Sequence, residues 1–140
     1  MFEAINWLGI ILATVVSMAI GAGWYSGLAK PWIAANGFTE EQVASVEAND
    51  QPWIYGVAIV CHIIMAIILA GVIFHSSGAQ TTIGAGLLTA FLIWLGFIVT
   101  SMSVNHRFQM KPWSLTIIDS GHYLLVLLAQ GAIIGWFGFN

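Results

Sequence analysis

Asp119, His122, Tyr123 and Gln130 are the side chains best able to do chemistry within an otherwise apolar stretch, and their spacing brings them together. At about 100° per residue of helix, offsets of three, four and eleven from Asp119 fall within roughly 100° of arc, which makes one polar stripe. A second imidazole, His62, stands in a stretch just as apolar. A carboxylate at the centre of a membrane helix costs ~2.5–3.5 kcal/mol on insertion scales, so it needs a partner or a task. Three tasks suit these residue types. Asp119 and His122 can hydrogen-bond across helices, with Tyr25 or Ser101 as partners, and fix the packing register. Lys111 or Arg107 could also reach the Asp119 carboxylate. An imidazole beside a carboxylate exchanges protons near neutral pH, so Asp119, His122 and His62 could line a path for protons or cations. Two imidazoles at one depth could instead hold haem iron or another metal.

The elements that carry these residues follow from the charges. The chain of 140 residues has three Lys or Arg and six Asp or Glu, 6% charged against 59% hydrophobic. An ordinary soluble domain carries about 25% charged residues. Only Asp119 falls inside an apolar run long enough to cross a bilayer, which needs roughly 20 residues. Four runs qualify, at about 5–28, 53–75, 82–104 and 114–139. Backbone groups in lipid must pair within their own segment, so each run is expected to be a helix. The expected fold is all-α: a single-domain polytopic membrane protein with four transmembrane helices. The single Cys61 excludes an intramolecular disulfide,. Glu3 stands where a signal peptide would carry Lys or Arg, so the first helix is expected to be retained.

All three prolines precede tryptophan, at Pro31-Trp32, Pro52-Trp53 and Pro112-Trp113. Proline suits the first turn of a helix and tryptophan the headgroup region, so each pair reads as an anchored helix start. The second and fourth spans share more: Pro52, Trp53, His62, Gly71 and Ile73 recur as Pro112, Trp113, His122, Gly131 and Ile133. At ~1.5 Å rise per residue, both histidines lie about 15 Å past their prolines, near mid-membrane. The pattern suggests two hairpin repeats, with coincidence as the alternative. Lys30, Arg107 and Lys111 all lie in the first and third connections. The positive-inside rule then puts those connections in the cytoplasm and both termini on the non-cytoplasmic side.

Gly9, Ala13, Ser17 and Gly21 form a four-residue ridge of small side chains, echoed by Gly131 and Gly135 and by Gly96 with Thr100. Such ridges let helices approach closely. Because four helices have little interior of their own, a homo-oligomer is expected. Trp24, Tyr25, Trp32, Trp53 and Trp113 are expected at the membrane interface. Thr39-Glu40-Glu41-Gln42 matches a capping box, so a short surface helix is expected at about 39–46, within an acidic segment that includes Glu47 and Asp50,.

Several motifs resemble a known family. They are Asn6-Trp7-Leu8, Gly21-Ala22-Gly23-Trp24-Tyr25-Ser26, Trp32 with Gly37 and Thr39-Glu40-Glu41-Gln42, and Trp94-Leu95-Gly96-Phe97. Pro112-Trp113, Ile118-Asp119-Ser120-Gly121 and Gly131-Ala132-Ile133-Ile134-Gly135-Trp136 complete the set. Together they resemble the small four-helix bacterial membrane proteins of domain of unknown function 1761. Members often read Gly-Tyr-His after the aspartate position, where this chain reads Gly121-His122-Tyr123. The resemblance implies a fold and a location but no activity.

The leading expectation is a non-enzymatic, homo-oligomeric helical protein whose polar stripe binds lipid or a small ligand. No nucleophile sits in a recognisable catalytic motif. One alternative is a small proton or cation channel or transporter using Asp119, His62 and His122. Another is a bis-histidine haem or pigment subunit of a larger membrane complex. Otherwise no cofactor is expected. Membrane lipids are the expected partners, and three cations exclude a nucleic-acid surface.

Overall fold

A computed structural model describes residues 2–48, 52–78 and 80–139. Four helices are long and apolar enough to span a membrane: Trp7–Gly27, Pro52–Ser77, Ile83–Phe108 and Trp113–Phe137. There is no strand among the described residues, only a single bridge between Ile5 and Phe139. The chain is a polytopic, all-α membrane protein.

After a 3-10 turn at Phe2–Ala4, helix α1 (Trp7–Gly27) starts where Asn6 Oδ1 accepts from the Gly9 amide at 3.3 Å. A short α2 (Ala29–Asn36) follows and stops at Gly37, whose φ of 73° is left-handed. Pro31-Trp32 thus lies inside the first turn of a connecting helix. The capping box forms at the start of α3 (Glu40–Ala48): Gln42 N–H donates to Thr39 Oγ1 at 3.2 Å, and Thr39 N–H to Gln42 Oε1 at 2.9 Å. Asp50 and the side chain of Glu47 lie outside what the structure describes. Helix α4 (Pro52–Ser77) has proline as its first residue, and α5 (Ile83–Ile93) is capped by Thr82. The third span continues through one π-helical stretch at Trp94–Val99 into α6 (Thr100–Phe108). Helix α7 (Trp113–Phe137) completes the set.

The spans follow one another round the molecule, α1, α4, α5, α7, with α7 closing back on α1 and meeting α4 across the diagonal. Helix α7 also touches α2 and α6, so it is the element on which the others dock. The two hairpins of the repeat are packed unequally, since α5 and α7 are far more closely joined than α1 and α4.

Glycine explains that closeness. A Cβ on Gly86 would lie 2.0 Å from the Gly131 carbonyl oxygen, and one on Gly135 would lie 2.5 Å from that of Thr82. At the other contact of α7, a Cβ on Gly9 would meet Phe137 at 3.3 Å, while Ala13 and Ser17 are fully buried. The small-residue ridges of the first and fourth spans are therefore consumed inside the chain. A homo-oligomer loses them as contact surfaces, and only the outward stripe of Gly96 and Thr100 remains.

The apolar core is lopsided. Ile5, Ile10, Ala13, Ala66, Leu69, Ala70, Ile73, Ala90, Leu127 and Ile134 cluster together. Apart from Ile5 ahead of α1 and Ala90 on α5, they come from the first half of α1 and the second halves of α4 and α7, so they fill the end that carries both termini. At the other end, α4 buries nothing from Pro52 to Cys61, and α6 buries nothing at all. Outward-facing Ile11, Val15, Ile64, Ile68, Leu88, Leu92, Phe97 and Ile117 are exposed, as lipid-facing side chains are,.

Candidate functional site

The polar stripe on α7 is divided into two stations. The first surrounds Asp119, two turns into α7. Asp119 Oδ1 accepts from the Tyr25 hydroxyl and from the Trp32 indole N–H, both at 3.0 Å. Its other oxygen lies 3.8 Å from His106 Nε2, an ion pair whenever that imidazole is protonated. His106 Nδ1 is 3.0 Å from Thr116 Oγ1, to which Arg107 also donates at 3.0 Å. Lys111 reaches the Asn36 carbonyl at 2.7 Å. One carboxylate thus ties together α1, α2, α6 and α7, and hydrogen bonds to a charged acceptor are the stronger kind.

This corrects three expectations. Neither Lys111 nor Arg107 is the partner of Asp119; both are held by neutral acceptors, and Arg107 lies 4.0 Å over the Trp113 ring. Ser101 is exposed on the outer face and does not join the stripe. Trp32, expected only as an interfacial residue, donates to Asp119 as well, beside Tyr25, one of the two expected partners. Trp53 and Trp113, by contrast, stand exposed.

The second station lies deeper. His62 and His122 are 7% and 4% exposed, and their rings meet edge-on at right angles with centroids 6.3 Å apart. The diagonal placement of α4 and α7 brings together the two histidines of the repeat. His62 Nδ1 lies 2.7 Å from the Ala58 carbonyl. A carbonyl only accepts, so Nδ1 carries the hydrogen and Nε2 presents its lone pair. That Nε2 and both nitrogens of His122 are buried without a protein partner among the described residues. Tyr25 and Tyr123 enclose His122, with ring centroids at 5.0 and 4.8 Å. Tyr25 therefore touches both stations, through its hydroxyl and through its ring.

Two turns beyond His122, Gln130 ends the stripe. Its fully buried amide donates to Ser17 Oγ at 3.0 Å and to the His62 carbonyl at 3.2 Å. Beyond it the interior is the apolar cluster. Among the described residues, no group of three or more His, Cys, Asp or Glu side chains is placed to hold a metal.

Sequence reasoning missed the tryptophan clamps on α7. Trp24 donates its indole N–H to the Ile118 carbonyl at 3.0 Å and Trp94 to that of Ser120 at 2.7 Å. A fourth-span carbonyl already has a helical partner, so no residue pattern advertises a second donor. Trp94 opens the π-helical stretch, a frequent device at functional sites,. His106 and Thr116 were missed for the same reason: they meet only because α6 folds back on α7.

Gly21 shapes the deeper station, because a Cβ there would stand 3.2 Å from His122 Nε2. Gly21→Val is expected to push the imidazole aside and change the His122 side-chain resonances in a 15N-histidine NMR spectrum. Gly23→Val, at a glycine with nothing within 4 Å, should leave them in place. Identical spectra for both variants would remove Gly21 from the site.

The profile of the family described as "Protein of unknown function (DUF1761)" matches residues 8–135. No curated protein and no solved structure matches the chain. The match extends over all four spans and both stations of the polar stripe, and the chain belongs to the DUF1761 family of proteins of unknown function.

Proposed function

We propose that this is a non-enzymatic protein of the bacterial inner membrane that holds a small polar or cationic ligand at the His62–His122 pair. The ligand would arrive from one side only, the cytoplasmic side set by Lys30, Arg107 and Lys111, with both termini opposite. The observation that carries this reading is the division of the interior. Polar groups run from His106 and Asp119 through Tyr25 and His122 to His62, Gln130 and Ser17. Leu127 packs beside Gln130, and past it Ile73 and Ile134, with Leu69, close the core. Three buried imidazole nitrogens without protein partners supply the binding groups, since each unpaired polar group costs ~1–3 kcal/mol until something bonds to it,. Lipid covers the exposed outer faces, and the Gly96–Thr100 stripe is the surface available to a second copy or a larger membrane complex.

A proton or cation path would use the same chain of contacts, but the apolar end opposes it in this conformation. Two measurements separate the readings. In a Cys61→Ser background, Tyr123→Cys should react with a membrane-impermeant thiol reagent from the cytoplasmic face, and Leu69→Cys from neither face. Liposomes containing the protein should hold an imposed proton gradient, with no change on Asp119→Asn. A leak abolished by Asp119→Asn, or labelling of Leu69→Cys, would establish a path through the membrane and overturn the one-sided site.

A further inference from the structure

We infer that the deeper station is a two-coordinate site for a single monovalent late transition-metal ion, Cu(I), held between His62 and His122. This names the ligand class of the proposed one-sided site and rests on that reading. Four observations carry it. The His62 tautomer is locked, because Nδ1 is bound to the Ala58 carbonyl at 2.7 Å and only the Nε2 lone pair is left to offer. Metal-binding histidines are oriented in this way, by a backbone acceptor on the other ring nitrogen, which also raises ligand basicity. Second, His62 Nε2 and both His122 nitrogens are buried and unpartnered. The missing side chain of Gly21 leaves space beside His122 Nε2. Third, the rings are too far apart for a direct N–H···N bond. The rings meet edge-on with centroids 6.3 Å apart, and two metal–nitrogen bonds of ~2.0–2.1 Å plus the two ring radii come close to that span once the imidazoles turn both nitrogens toward the ion,.

The fourth observation selects the ion. Zn(II) in structural sites asks for four ligands. No third His, Cys, Asp or Glu joins this pair among the described residues. A d10 monovalent ion accepts two ligands in a line, and imidazole is a good ligand for copper. Two neutral imidazoles in an apolar interior also favour a single positive charge over two, because the cost of burying charge rises steeply with its magnitude.

The test uses the full-length protein in lipid nanodiscs, titrated anaerobically with Cu(I) against a chromophoric Cu(I) chelator, and with Zn(II) alone in parallel. One Cu(I) per chain is expected, with affinity falling by at least about 100-fold in His62→Gln and in His122→Gln, more than a lost supporting residue costs. Cys61→Ser should bind as the parent does, because the exposed Cys61 is not one of the two ligands. X-ray absorption of the unmutated protein keeps the test independent of variant folding, and should show a linear, nitrogen-only Cu(I) shell. Binding that follows Cys61 instead of the histidines, a sulfur-containing shell, or no Cu(I) binding at one equivalent would overturn the assignment. So would Zn(II) bound as tightly as Cu(I). Those results leave the one-sided reading to the labelling and flux experiments, which involve no metal.

Discussion

Gly86→Ala is expected to destabilise the protein by about 3 kcal/mol, the upper end of what overpacking costs. The added carbon would lie 2.0 Å from the Gly131 carbonyl oxygen, which belongs to the backbone of α7 and cannot rotate away. The helices must then separate, and α7 carries α1, α4 and the polar stripe with it. Gly131→Ala should behave likewise, meeting the Gly86 oxygen at 2.4 Å and Ala90 Cβ at 2.9 Å. Gly56→Ala serves as the control, because nothing lies within 4 Å of that glycine, and better helix propensity makes it neutral or stabilising by up to about 1 kcal/mol,. Unfolding in a graded series of denaturing detergent would measure all three. Equal stabilities for Gly86→Ala and Gly56→Ala would rule out backbone contact as the join between α5 and α7.

Asp119→Leu is expected to cost about 2 kcal/mol and to release α2 from α7. Removing the carboxylate strands the Tyr25 hydroxyl and the Trp32 indole N–H, both half-buried, so that each costs toward the low end of the ~1–3 kcal/mol of a fully buried unpaired group,. Against this stands the relief of withdrawing a charge from the membrane. That relief is smaller than the ~2.5–3.5 kcal/mol found at a helix centre, because Asp119 lies only two turns from the interface. The loss of hydrogen bonds wins. Asp119→Asn keeps an oxygen that can accept from both donors, so it should stay within about 1 kcal/mol of the parent. Hydrogen exchange gives the local readout: amides of 29–36 should exchange faster in Asp119→Leu and unchanged in Asp119→Asn. If the Leu variant protects α2 as well as the parent does, Asp119 does not hold that helix.

Where the prediction of partners failed, the reason is geometric. Periodicity along α7 correctly grouped Asp119, His122, Tyr123 and Gln130 on one face, because a helix fixes that relation locally. It could not say which neighbouring helix each would meet. By charge Arg107 and Lys111 suit a carboxylate, yet the fold gives them Thr116 and Asn36 and brings Trp32 to Asp119 beside the expected Tyr25. Trp24, Tyr25 and Trp32 were read as interfacial because indole and phenol rings usually sit there. Trp24 and Tyr25, on the last turns of α1, and Trp32, beyond the bend on α2, instead direct their donors onto α7.

Four apolar stretches without charge, small residues four apart, a capping box and paired histidines sixty residues apart are all written in the chain itself. Hydrocarbon demands internally bonded helices of a given length, so class, spans and the all-α fold follow from local composition alone. Which ridge meets which helix is a matter of shape between distant segments. Only the folded molecule put Gly86 on Gly131, set the two imidazoles 6.3 Å apart, and closed one end with aliphatic side chains while leaving the other polar. Contacts between helices in lipid depend on close fit rather than on a hydrophobic drive, and fit cannot be read from one helix at a time.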